Sequence, residues 1–108
     1  MIGEQALAQM RRGSVLINTA RGPLIDEQAL LGALDSGHIA AAGLDVVESE
    51  PLENERLRQH PSVLFTPHTA FYSVEGYNEL RTKTAEEVRR ILLGEPPRNP
   101  VNAPAPRS

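Results

Sequence analysis

This 108-residue sequence predicts an α/β fold built on parallel strands. Three observations predict it. Short β-branched or aliphatic runs alternate with stretches of helical period. The connections between the strand-like runs are too long for hairpins, so parallel strands joined by right-handed crossovers are expected. Glycine or proline marks most of the junctions. The order expected along the chain is α-β-α-β-(α)-β-α, three strands with flanking helices.

Each element has its own signal. Residues 4–11 form a short helix, with Gly13 placed as its C′ residue. Val15-Leu16-Ile17-Asn18-Thr19 is a buried strand by composition and length, and Gly22-Pro23 breaks the chain after it. Asp26 is a good N-cap for a helix over residues 27–36, whose stripe is Ala29, Leu30, Ala33 and Leu34 and which Gly37 closes. Residues 39–47 are almost wholly apolar or small, the pattern of a strand buried on both faces. A polar connection follows, with a short helix around residues 53–59, and then Val63-Leu64-Phe65-Thr66, a third strand stopped by Pro67. The last helix runs from about residue 74 to 93, with Val74, Tyr77, Leu80, Thr84, Val88, Ile91 and Leu92 in helical period. One domain over residues 1–94 is expected, followed by a proline-rich tail over 95–108 that is extended or disordered.

Composition narrows the function classes. The length suits one small domain. Hydrophobic residues are 40% of the chain and aromatics only 4%, so the core must be aliphatic. A formal charge of −3 and a pI near 5.6 argue against an electrostatic nucleic-acid binder. Arg11-Arg12 and Arg89-Arg90 lie near helix ends, where the helix dipole accounts for them. The absence of cysteine rules out a disulfide framework and a thiolate metal site. No apolar run approaches the roughly 20 residues needed to span a bilayer, and no secretion signal opens the chain. A cytoplasmic location agrees with this.

In an open parallel sheet, ligands bind outside the carboxyl ends of the strands. That rule selects Thr19-Ala20-Arg21-Gly22 after the first strand. It selects Asp45, with Glu48 and Glu50, after the second, and Pro67-His68-Thr69-Ala70 after the third. Taken singly, Arg21 is an ordinary surface arginine, the glutamates are solvated loop charges, and His68 is a structural histidine. One cation, several carboxylates and one imidazole converging on a single rim are harder to dismiss. His38 begins a strand and His60 lies in a polar loop, so both are assigned structural roles.

Three segments carry a resemblance: Ile17-Asn18-Thr19-Ala20-Arg21-Gly22, Gly43-Leu44-Asp45-Val46-Val47-Glu48-Ser49-Glu50-Pro51 and Thr66-Pro67-His68. In this order and spacing they resemble signatures of the D-isomer-specific 2-hydroxyacid dehydrogenases, over roughly residues 1–102. Within that family, the run from Thr66 to Ser73 is most similar to the C-terminal-binding-protein branch. The resemblance implies a partial Rossmann-type doubly wound sheet, the second half of an NAD-binding domain. It implies that Arg21 binds the substrate carboxylate and that His68 is the general acid for the 2-oxo group. Glu50, beside Pro51, would hold the imidazole and favour its charged form, with Glu48 as the competing carboxylate. Thr19, Ala20, Arg21, Asp45, His68, Thr69, Ala70 and Phe71 would line the cofactor, with Asp45 toward the nicotinamide. The cofactor implied is NAD, with NADP left open. The implied partners are a small 2-hydroxy or 2-oxo acid and, at full length, a second copy in a homodimer.

The Gly-x-Gly-x-x-Gly phosphate loop of such a domain does not occur here, and the eight glycines are too scattered to form one. Neither the acidic ribose reader nor the substrate domain is recognisable. Met1 is therefore expected to be an internal methionine of a longer protein, and the 108-residue chain alone is expected to bind NADH weakly or not at all and to be inactive by itself. The leading function is a segment of an NAD-dependent oxidoreductase. The alternatives are an NAD(H)-responsive corepressor-like binding module and an inactive fragment.

Overall fold

The computed structural model describes residues 1–102, which divide into two compact units, 1–70 and the part from Phe71 onward. The first unit contains α1 (Glu4–Gln9), β1 (Ser14–Asn18), a 3₁₀ turn (Gly22–Leu24), α2 (Glu27–Asp35), β2 (Ile39–Leu44), α3 (Glu55–Arg58) and β3 (Val63–Phe65). The strands form one parallel sheet in the order β1-β2-β3. Asn18, Leu44 and Phe65 lie in register at its carboxyl edge.

An aliphatic core holds this unit together, as the scarcity of aromatics requires. Leu7 of α1, Leu30, Leu31 and Leu34 of α2, Ile39, Ala42 and Leu44 of β2, and Leu57 of α3 are buried together. Full burial of a leucine contributes roughly 1.5–3 kcal/mol, so the three leucines of α2 are the largest single contribution to this core. Asp26 caps α2, accepting from Ala29 N at 2.9 Å, and Asn54 caps α3, accepting from Leu57 N at 3.2 Å.

Two expectations need correction. Gly13 is not the C′ residue of α1, because that helix ends at Gln9 with Met10 already extended. Gly13 (φ +83°) instead turns the chain into β1, and its N–H donates to His38 O at 2.8 Å. The sheet is also not buried on both faces. Helical residues cover one face, while Val15, Ile17 and Leu64 on the other are 61%, 71% and 71% exposed. In β2 the residues in register with Val15 and Ile17 are Ala41 and Gly43, which are small and half-buried. Small residues made the run look uniformly apolar without making it uniformly buried.

The second unit is built on α4 (Val74–Leu92), capped by Ser73, whose hydroxyl accepts from Gly76 N at 2.9 Å. None of its residues is buried, and its apolar stripe (Val74, Tyr77, Leu80, Val88, Ile91, Leu92) is exposed. Residues 95–102 form no helix or strand. Arg90 pairs with Glu95 at 2.9 Å and Arg98 with Glu86 at 2.8 Å, tying the first part of this stretch to α4. The expectation of an extended or disordered tail also covers residues 103–108, which lie outside the described residues. Among the described residues, no helix is long and apolar enough to cross a membrane.

Candidate active site

The three strand ends are joined by Asp45, through its backbone to the ends of β1 and β3 and through its side chain to the loop after β3, while Asn18 shapes the turn after β1. Asn18, buried at the end of β1, accepts from Ala20 N at 3.0 Å and donates to Arg21 O at 2.9 Å. This local turn sets the course of Thr19, Ala20 and Arg21. Gly22 follows, packed against β2's extension so closely that any Cβ would overlap the carbonyl of Val47. Only glycine fits there.

Asp45 is the most connected residue of the rim and is only 5% exposed. Its N–H donates to Asn18 O at 2.9 Å and its carbonyl accepts from His68 N at 2.9 Å. Its Oδ1 accepts from the Thr66 hydroxyl and, at 2.9 Å, from Thr69 N, and its Oδ2 accepts from Ala70 N at 2.9 Å. The Thr66 hydrogen bond, joined by the two backbone donors and the nearby His68, holds this carboxyl below the usual aspartate range despite burial. Both oxygens are thus committed to the loop after β3.

That loop presents His68 in the left-handed backbone region, at φ +54°. A non-glycine residue persists there when its surroundings over-determine it. Here Asp45 holds the backbone N–H of His68 and the two amides after it. The ring Nδ1 of His68 then lies 3.0 Å from Glu50 Oε2. A carboxylate can only accept, so Nδ1 carries the proton of that bond. The bond from His68 holds the Glu50 carboxyl below the usual glutamate range. The two side chains are 42% and 46% exposed, so the pair is open to small solutes.

The expected residues are therefore brought together unequally. Asp45, Glu50 and His68 line one groove of about 450 Å³, walled by Val47, Leu52 and Phe65. Glu50, not Glu48, pairs with the imidazole. Thr69 and Ala70 are held beside it by Asp45. Arg21 is exposed at the end of β1, where its guanidinium donates to Ala20 O at 2.7 Å, and it is not part of the groove wall. Phe71 belongs to the second unit, where its ring stacks on Tyr72 at 4.4 Å. His38 Nε2 meets Met10 O at 3.0 Å, and His60 lies between Ser62 N and Asp35. A larger depression of about 850 Å³ between α1 and α2 holds none of the strand-end groups.

Three site-building residues carry no assigned role on sequence grounds: Asn18, Thr66 and Glu27. An asparagine closing a strand just before a turn is a readable signal for the first. Thr66 and Glu27 act on residues 21 positions away, and nothing local announces that.

A parallel sheet with a carboxylate–imidazole pair at the carboxyl ends of its strands is the arrangement of an α/β ligand-binding domain. The model of the D-isomer specific 2-hydroxyacid dehydrogenase NAD binding domain matches residues 1–70, and the chain belongs to that family. It is 40% identical over 105 residues to the D-3-phosphoglycerate dehydrogenase of Bacillus subtilis (strain 168), covering 97% of this chain and 20% of that protein. It superposes on the D-isomer specific 2-hydroxyacid dehydrogenase of Xanthobacter autotrophicus Py2, solved with NADPH and MES. That match has a TM-score of 0.78 and 44% identity, over 94% of this chain and 41% of the other. The D-isomer specific 2-hydroxyacid dehydrogenase of Lactobacillus delbrueckii ssp. bulgaricus, in its NAD-complexed form, gives a TM-score of 0.76 and 36% identity, over 94% and 35%. The chain thus spans about a fifth of the length of the curated relative it matches. These relatives are named as dehydrogenases, which does not favour the corepressor-like alternative.

Proposed function

We propose that residues 1–70 supply the catalytic rim of an NAD-dependent oxidoreductase that interconverts a D-2-hydroxy acid and its 2-oxo acid. The observation that carries this is the 3.0 Å bond between His68 Nδ1 and Glu50 Oε2 at the carboxyl ends of parallel strands. With Nδ1 occupied, Nε2 is the nitrogen that exchanges protons. It gives a proton to the 2-oxo oxygen in reduction and takes one from the hydroxyl in oxidation. Glu50 orients the ring and favours the charged imidazolium. Arg21 grips the substrate carboxylate with two parallel donors. For that, its guanidinium must leave Ala20 O, a rotation an exposed side chain makes readily.

NAD supplies the hydride acceptor or donor at C2. Thr19 and Ala20 on one strand end, and Thr69 and Ala70 on another, fit its nicotinamide end because they are small and backbone-rich. Asp45 serves it indirectly, by holding the amides of Thr69 and Ala70 in place. NADP fits these residues equally well, and the relatives solved with NADPH and with NAD support either. A homodimer and a cytoplasmic location belong to the same proposal, with sedimentation of the complete dehydrogenase testing the first.

The test is His68→Ala in a complete dehydrogenase carrying this segment. Turnover is expected to fall about 10²–10⁴-fold, the usual contribution of a positioned acid–base group. The NADH Kd should change little. Equal loss of turnover and cofactor binding would contradict the assignment.

A further inference from the structure

Glu27 is a carboxylate that the proposed reaction does not use. It stands in the first turn of α2, where an acidic residue is normally explained by the helix dipole and left in water. Yet it is only 9% exposed. Its Oε1 accepts from the backbone N–H of Glu48 at 2.8 Å, and its Oε2 lies 3.5 Å from Asn54 Nδ2. Those two residues bracket the loop whose middle is Glu50-Pro51. One side chain therefore reaches both ends of the loop that presents Glu50.

The second contact has a fixed sense. Asn54 Oδ1 caps α3 by accepting from Leu57 N, so its amide group cannot turn over without uncapping that helix. Its Nδ2 donor is left facing Glu27. A charged acceptor suits a backbone N–H on one oxygen and an amide donor on the other, and such bonds are stronger than neutral ones. Glu50 itself is held only by His68 and by its own short loop, and it is 46% exposed. Without an anchor, an exposed loop carboxylate samples many rotamers, and its bond to an imidazole is correspondingly diluted.

We infer that Glu27 is a positioning residue for the acid–base pair: by holding Glu48 N and Asn54 it keeps the 48–54 loop where Glu50 reaches His68. This inference rests on the Glu50–His68 assignment above. Glu27 touches neither substrate nor cofactor and acts only through the loop.

The experiment is a ¹³C NMR titration of the Glu50 side-chain carboxyl in the full 108-residue chain, for wild type, Glu27→Ala and His68→Ala. Removal of His68 should raise the Glu50 midpoint toward the ordinary glutamate value near ~4.3. Glu27→Ala should move it in the same direction by about half that amount or more, and the Glu48 amide proton should shift upfield. If Glu27→Ala leaves Glu50 unmoved while His68→Ala moves it, the positioning role is overturned and the acid–base pair stands. If neither variant moves it, the Glu50–His68 pair itself fails. Should Glu27→Ala not fold, Glu27→Gln keeps an oxygen for Glu48 N and puts an amide against Asn54. A smaller rise of the Glu50 midpoint is then expected, and no rise would overturn the inference.

Discussion

The two halves of the rim differ in how far they are assembled. Around Asp45, Glu50 and His68 the groups already meet, through five hydrogen bonds that all cross between strand ends. Around Arg21 only the backbone is set, by Asn18 and by the glycine after it, while the guanidinium rests on its own neighbour's carbonyl. In the proposed roles, the proton-transfer half is preorganised, whereas the half proposed to bind the substrate carboxylate must still turn its guanidinium away from Ala20 O. The difference follows from chemistry. An acid–base pair must be aligned before substrate arrives to be worth its orders of magnitude. A cationic grip needs reach and a planar fork of donors, and an arginine carries both with it wherever its side chain rests.

The comparison can be broken most severely at Gly22→Ala, which forces a Cβ into the Val47 carbonyl. Backbone must move on both sides, so a loss of about 1–3 kcal/mol or more is expected, visible as a lower midpoint in urea denaturation. Both halves should suffer, because Val47 leads into the loop of Glu50.

Arg21→Lys should separate them. Losing the planar fork is expected to raise the KM for the 2-oxo acid about 10- to 100-fold, one charge-assisted bidentate pairing at about 1.5–3 kcal/mol. Thermal stability should be unchanged, since among the described residues the guanidinium bonds only to Ala20 O. A lowered Tm would mean that Arg21 has a structural role instead.

Asp45→Asn sharpens the other half. An amide nitrogen cannot accept from Ala70 N–H, so the loop after β3 should loosen and the Tm fall by several degrees. The wild type should show the matching acid sensitivity. Because folding lowers the Asp45 carboxyl below the ordinary aspartate value near ~3.9, its contribution is fully present above that pH. It is lost as pH falls through the folded value. Denaturant titrations between pH 7 and pH 2 should show the loss in wild type and a smaller one in Asp45→Asn.

Much of the first unit is legible in the sequence, for identifiable reasons. Strand and helix order comes from local period, and the strand-end rule then selects Arg21, Asp45, Glu50 and His68 without side-chain geometry. Helix capping at Asp26 is equally local. What stayed hidden is long-range or conformational. Glu27 looks like a first-turn helix charge until its reach to Glu48 is seen. Both oxygens of Asp45 go to a hydroxyl and to two amides that no sequence pattern assigns to it. The end of α1 is not legible either, because a helix of one and a half turns has too weak a period to mark where it stops short of Gly13. The choice of Glu50 over Glu48 comes from the resemblance, since their spacing alone leaves it open, and Glu50 is the carboxylate that meets His68.

The central claim is that Glu50 works through His68, and a double-mutant cycle on turnover tests it most directly. Glu50→Gln, His68→Ala and the double variant are compared by kcat at pH 7 in a complete dehydrogenase carrying this segment. Each single change should lower kcat, and the double variant should be no slower than His68→Ala alone, since Glu50 has nothing left to orient. Losses that multiply would show two independent roles and contradict the account.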